Sequence, residues 1–163
     1  AGIIHRDLKA DDMMVLPITA ADGPRIKVMD FGLASVDSLC PRGEITGAGE
    51  AAGTLAYMAP EQSQGRQLTP AADVYALAVI GYEMISGINP FRGASPAASL
   101  RRQQAGFPPP PAEAAGPITR EDWPDLEALG GVFRQALARE PGQRPSDAQA
   151  LLAQLTQLAA FQP

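Results

Sequence analysis

The segment between Thr69 and Gly87 constrains this fold more than any other. Its apolar residues do not keep to one stripe: Val74, Tyr75, Leu77, Val79, Ile80 and Tyr82 cover most faces of a helix. A helix predicted over 71–86 is therefore buried all round, and other elements have to close over it. Thr69-Pro70 supplies an N-cap and a first-position proline. Gly87, with Pro90 beyond it, ends the helix. The elements available to wrap it are mostly helical too. A weaker helix is expected from Ser95-Pro96 to near Ala105. Another over 125–138 carries Leu126, Leu129, Phe133, Ala136 and Leu137 on one face. A last one starts at Ser146 and carries Leu151, Leu152, Leu155 and Leu158. Gly106 and the prolines at 108–111 read as a stiff, extended spacer. One β-hairpin is expected, from Met13–Leu16 and Arg25–Met29 around the turn signal Asp22-Gly23. Residues 33–55 hold no period and many glycines, so they read as a mobile loop. Loops of that length in a compact domain are functional or disordered.

The whole chain of 163 residues suits one modest domain with a real core. Hydrophobic residues make up 45% and charged residues 19%, which excludes a disordered chain. A net charge of −5 leaves no basic field for nucleic acid or anionic lipid. A lone Cys40 has no internal disulfide partner, which fits a reducing compartment, and a cytoplasmic location is expected. No signal peptide is visible at Ala1-Gly2-Ile3-Ile4, and the apolar run from Asp73 to Glu83 is too short to span a bilayer. Membrane contact would need an anchor in a longer parent.

Three motifs stand in one order: His5-Arg6-Asp7-Leu8-Lys9, then Asp30-Phe31-Gly32, then Ala59-Pro60-Glu61. Each alone is weak. Their order, spacing and flanks make the set specific. Together they resemble the C-terminal lobe of a protein kinase of the Ser/Thr type, and the Ala-rich helices and the 75–91 stretch are similar to bacterial kinases of the eukaryotic (Hanks) type. The resemblance implies a protein-kinase-like fold, α+β overall. Residues 1–163 would be a partial kinase domain, from the catalytic loop to the last C-lobe helix, mainly α-helical with one short β-hairpin. The implied reaction moves the γ-phosphate of ATP to Ser or Thr hydroxyls of a protein substrate. Mg²⁺ (or Mn²⁺) is the implied metal and ATP the co-substrate.

On this resemblance Asp7 orients the substrate hydroxyl and accepts its proton, and Lys9 sits near the transferred phosphate. Asp30 ligates the metal, Phe31 packs beneath it, and Gly32 permits a sharp turn. Lys9, Asp12 and Asp30 together face the nucleotide. Asp12 departs from the pattern, because the family places Asn five residues after the catalytic Asp. A carboxylate still offers oxygen to Mg²⁺, but it loses the amide donor and adds negative charge near the phosphates. Two readings stay open: an active kinase with altered metal demand, or a pseudokinase serving as a non-catalytic binding module.

His5, the only histidine, is implied to be structural. Arg6 is implied to bind a phosphorylated loop residue through its planar fork; the alternative is an Arg held by a structural carboxylate. Residues 33–59 correspond to the activation segment. Thr46 is the preferred phosphosite and Ser38 the next, while Thr54 is implied to touch the catalytic loop. Cys40 is expected to be an inert thiol, with redox sensitivity the alternative. Glu61 is implied to pair with Arg144, and Asp73 to bond the catalytic-loop backbone. Sequence alone offers a plainer role for Asp73, as charge at a helix N-terminus.

The chain contains no Gly-rich phosphate loop, no Val-Ala-x-Lys strand and no helix with a paired Glu. ATP would have one wall here, so the isolated chain is expected to transfer little phosphate, and the missing N-lobe of the same domain is an expected partner. The helix over 71–86 is expected to leave apolar surface bare where a neighbour is lacking. A remnant without function is the remaining alternative.

Overall fold

A computed structural model describes residues 3–17, 25–30, 53–106 and 126–158. Strand β1 (Met13–Leu16) pairs antiparallel with β2 (Arg25–Val28), in a register from Met13 opposite Val28 to Leu16 opposite Arg25. Five α-helices follow: α1 (Pro60–Ser63), α2 (Ala71–Ser86), α3 (Pro96–Gln104), α4 (Leu126–Ala136) and α5 (Ala148–Leu155). Two 3₁₀ turns, Ala10–Asp12 and Pro141–Gln143, also occur, and the described residues 53–55 are helical too. The described chain is thus mainly helical with one hairpin.

Helix α2 is the axis of the core. Val74, Tyr75, Val79, Ile80 and Tyr82 are all buried, and α4, α5 and the 141–143 turn pack against it. Tyr75 stacks on Phe91 with centroids 5.8 Å apart, and Tyr82 meets Phe133 edge-on at 6.1 Å. Gly87 closes α2 in the left-handed conformation, φ 74°, where a side chain would be strained, and its N–H donates to the Glu83 carbonyl at 2.8 Å.

The structure moves three boundaries and faces from their expected places. At the start of α2, Pro70 is already helical and its carbonyl accepts the Val74 N–H, as expected of a first-position proline, but Thr69 contributes its carbonyl to Ala72 rather than a side-chain cap bond. Asp147, not Ser146, caps α5, with Oδ1 accepting the Ala150 N–H at 2.8 Å. Leu152 is 59% exposed while its neighbour Leu151 is buried, because adjacent helical residues point about 100° apart. The other helices hold to expectation. Ser95 caps α3 through the Ala98 N–H, and α4 buries Leu126, Leu129, Phe133 and Ala136, with Leu137 buried just beyond its end.

Burial of α2 is not complete. Leu77, Gly81 and Met84 line up at i, i+4 and i+7, and Met84 is 70% exposed. With Leu129, Phe133, Leu151 and Leu155 they form an apolar groove of about 170 Å³. The sequence leads one to expect bare apolar surface on this helix, and the structure shows where it lies. No helix among the described residues is long and apolar enough to cross a membrane.

Several sequence expectations lie outside the described residues: the turn at Asp22-Gly23, Phe31, Gly32, Ser38, Cys40, Thr46 and the prolines at 108–111. The described end of the expected loop is not extended. Residues 53–58 coil through successive hydrogen bonds from Ala56 to Gly53, Tyr57 to Thr54 and Met58 to Leu55.

Candidate active site

The site is assembled by backbone pairing first. The Met29 N–H donates to the Asp12 carbonyl at 2.9 Å, which continues the β1–β2 ladder by one step. That register places Asp12, at the end of the 3₁₀ turn, beside the residue preceding Asp30. Asp30 leaves β2 with φ 51°, a left-handed geometry that Asp tolerates better than most residues. Nε2 of His5 donates to the Met29 carbonyl at 3.0 Å, so this ring nitrogen carries the proton and pins the loop to the same strand end.

Asp73, in the first turn of α2, holds the loop from below. Its Oδ2 accepts the His5 N–H at 2.8 Å and its Oδ1 the Arg6 N–H at 3.0 Å. Its position thus serves more than the charge at a helix start. Arg6 itself has φ 72°, costly for a residue with a long side chain, and such strain persists only where neighbours impose it. The Arg6 side chain is exposed and meets no carboxylate among the described residues. The structural-carboxylate alternative therefore finds no support within them.

Asp7 is half-buried at the head of this loop. Burial pushes its carboxyl above the ordinary Asp value; nearby Lys9 opposes the shift, Asp12 adds to it, and His5 opposes it. A small cavity of about 10 Å³, room for about one water, lies between Asp7, Asp73, Thr54, Gln62, Leu8 and Met58. Thr54 lines it together with Arg6 and Asp7. Asp12 is 5% exposed, and its Oδ2 is buried with no hydrogen-bond donor among the described residues. An unsatisfied buried carboxylate oxygen, close in chain pairing to a second carboxylate, fits a hard divalent cation. Among the described residues no group of three or more His, Cys, Asp or Glu could hold a metal alone.

Glu61 and Arg144 meet behind the site. Arg144 Nη1 donates to Oε1 at 2.7 Å and Nη2 to Oε2 at 2.8 Å, a bidentate pair with side chains 1% and 0% exposed. The guanidinium also donates to the carbonyls of Ala71, Ala138 and Arg139, and lies 4.9 Å from the centroid of the Tyr75 ring. It therefore ties α1, α2 and the segment after α4 together.

Five further polar residues, Tyr57, Glu83, Asn89, Gln103 and Gln62, make buried or half-buried bonds around the site. Tyr57 donates to Glu83 at 2.5 Å, and Asn89 donates to the same carboxylate oxygen. Burial, then the bond to Glu83, push the Tyr57 phenol up to about 12. Gln103 of α3 is buried and donates to the carbonyls of Leu55 and Met58, fixing the coil that leads into α1. Gln62 reaches back to the Ala59 N–H. A Gln at the third position of a helix is the one local signal that flags such a bond; the others span too many residues to leave one.

Comparison with known proteins agrees with this geometry. Residues 1–157 match the protein kinase domain family. The Ser/Thr protein kinase pkn3 of Myxococcus xanthus is 37% identical over 156 residues, covering 95% of this chain and 27% of that protein. Pkn1 of the same organism is 40% identical over 144 residues, covering 88% and 19%. PknA of Mycobacterium tuberculosis is 34% identical over 155 residues, covering 89% and 34%. The chain thus spans about a quarter of the length of these relatives. Among solved structures, the twitchin kinase region from C. elegans superposes with a TM-score of 0.58 at 22% identity, covering 98% of this chain and 25% of that one, which shows the shared fold. The loop, the hairpin and the buried ion pair are held as one unit, and the chain belongs to the protein kinase domain family, with bacterial Hanks-type Ser/Thr kinases as its relatives.

Proposed function

We propose that this chain is the catalytic-loop half of a Ser/Thr protein kinase, which presents a protein hydroxyl to the γ-phosphate of ATP. The observation that carries the reading is the half-buried Asp7, with Lys9 and Asp12 close enough to act on its charge, on a loop whose His5 and Arg6 are tethered to Asp73 and Met29. Asp7 orients the hydroxyl and takes its proton as the oxygen attacks. Its raised pKa makes it a better base than a free Asp. Lys9 supplies positive charge beside it, where the transferred phosphate would pass. Mg²⁺ bound with ATP would neutralise phosphate charge, and Asp12 and Asp30 are the side chains that would hold it. Arg6 is left exposed for a phosphate on the activation segment, with Thr46 preferred and Ser38 next. The isolated 163 residues contribute one wall of an ATP site and would transfer little phosphate.

A second reading rests on Asp12. A buried, unsatisfied carboxylate repels phosphate when metal is absent, which favours a pseudokinase. The test uses the full-length natural protein, with Asp7→Asn and Asp12→Asn variants, labelled ATP and a Ser/Thr peptide pool. Phosphotransfer by the parent that Asp7→Asn abolishes supports the kinase. A silent parent that Asp12→Asn awakens gives the pseudokinase reading.

A further inference from the structure

We propose that Gln62 is a positioning residue for Asp7. The inference rests on the kinase reading above and adds a residue to it. Gln62 lies in α1, directly after Ala59-Pro60-Glu61, and is 5% exposed. Its amide is used at both ends. Oε1 accepts the Ala59 N–H at 2.9 Å, and Nε2 donates to the Arg6 carbonyl at 2.5 Å across 56 residues of sequence.

The Arg6 carbonyl belongs to the peptide unit that joins Arg6 to Asp7. Holding that carbonyl fixes the plane from which the Asp7 Cα and side chain project. Asp73 holds only the two preceding N–H groups, those of His5 and Arg6. Asp73 makes no bond to the last peptide before Asp7, whose hydrogen bond among the described residues comes from Gln62. Relaxing Arg6 from φ 72° toward an ordinary value would turn that peptide, and the Gln62 donor opposes this turn. One side chain thereby links the start of α1, which follows the activation segment, to the residue that takes the proton. Ala59 cannot cap α1 with its own side chain, so the Oε1 bond serves the helix while the Nε2 bond serves the loop.

The two bonds can be separated. Gln62→Glu keeps an acceptor for the Ala59 N–H but removes the donor and turns a carboxylate oxygen toward the Arg6 carbonyl. Gln62→Met keeps the length and removes both. In the full-length protein, turnover on a Ser/Thr peptide should fall about tenfold or more in both variants, while KM for ATP and for the peptide stay within about twofold, as expected of misalignment. Hydrogen exchange over residues 3–12 should rise in both, with melting temperature close to the parent in at least Gln62→Met. The exchange reading holds whether or not the parent turns over, so a silent parent sinks the kinase reading and leaves this one testable. Unchanged exchange at 3–12 would overturn the proposal. So would full turnover in Gln62→Glu with loss in Gln62→Met, which would assign the effect to the Ala59 cap. Failure of both variants to fold would also overturn it, making Gln62 a structural residue.

Discussion

Removing one member of the Glu61–Arg144 pair should unsettle the whole lobe, and removing both should do less harm than the two losses summed. All five N–H donors of Arg144 are used: two on Glu61 and one each on the carbonyls of Ala71, Ala138 and Arg139. Glu61→Leu leaves a guanidinium with a fully buried side chain and no counter-charge, a loss of about 3–5 kcal/mol. Arg144→Met orphans the carboxylate at similar cost. It also strips a donor from the carbonyls of Ala138 and Arg139, which water partly replaces because those bonds are half-buried. Added together, the two losses approach the about 5–15 kcal/mol that holds a typical domain folded. Most of each loss comes from the partner left behind. The double variant should therefore cost about 3 kcal/mol less than the sum. Urea unfolding of the full-length protein and the three variants measures this, and the coupling should hardly change when salt is raised, since the pair is screened little. A Glu61→Leu loss below about 1 kcal/mol, the value of a solvated surface pair, would refute the reasoning, as would additivity within about 0.5 kcal/mol.

Gly93→Ala should destabilise by about 1–3 kcal/mol and loosen α3, because its new Cβ would sit 2.6 Å from both the Ala98 Cβ and the Ser99 backbone nitrogen; thermal melts check the loss, and a neutral result would show that α3 can shift freely. Asp7→Asn should abolish phosphotransfer yet match or exceed the parent's melting temperature at pH 7. A raised carboxyl pKa means that the folded state binds the proton more tightly than the unfolded one, so Asp7 lowers stability as pH rises through and beyond 3.8. The gap should close in melts run below that pH. Tyr57→Phe should extend stability on the alkaline side. The Tyr57 pKa is raised from 10.0 to about 12, so folding loses stability between those values as the unfolded phenol ionises first. Melts at pH 9 and 11 compare the two proteins, and an equal fall in both would argue against it.

Much of this lobe is written locally. The strands of the hairpin, α2 with its closing Gly87, and the buried face of α4 follow from periodicity and end signals within a few residues, and the structure keeps them. The three ordered motifs were enough to point to the family. What sequence could not settle were matters of neighbours. Nothing local says that Leu152 turns outward or that the Leu77–Gly81–Met84 strip of α2 stays bare, because apolar character does not reveal which side has a partner. Nothing local marks Asp73 as more than a first-turn carboxylate; only the family resemblance implied the bonds to the catalytic-loop backbone that the fold makes with the His5 and Arg6 amides. Gln62 is an ordinary helix residue until the Arg6 carbonyl arrives from 56 positions away. Local energetics determined the elements and their order. Only packing decided which polar groups meet, because a hydrogen bond depends on a few ångströms of distance and sequence carries no measure of that across separate elements.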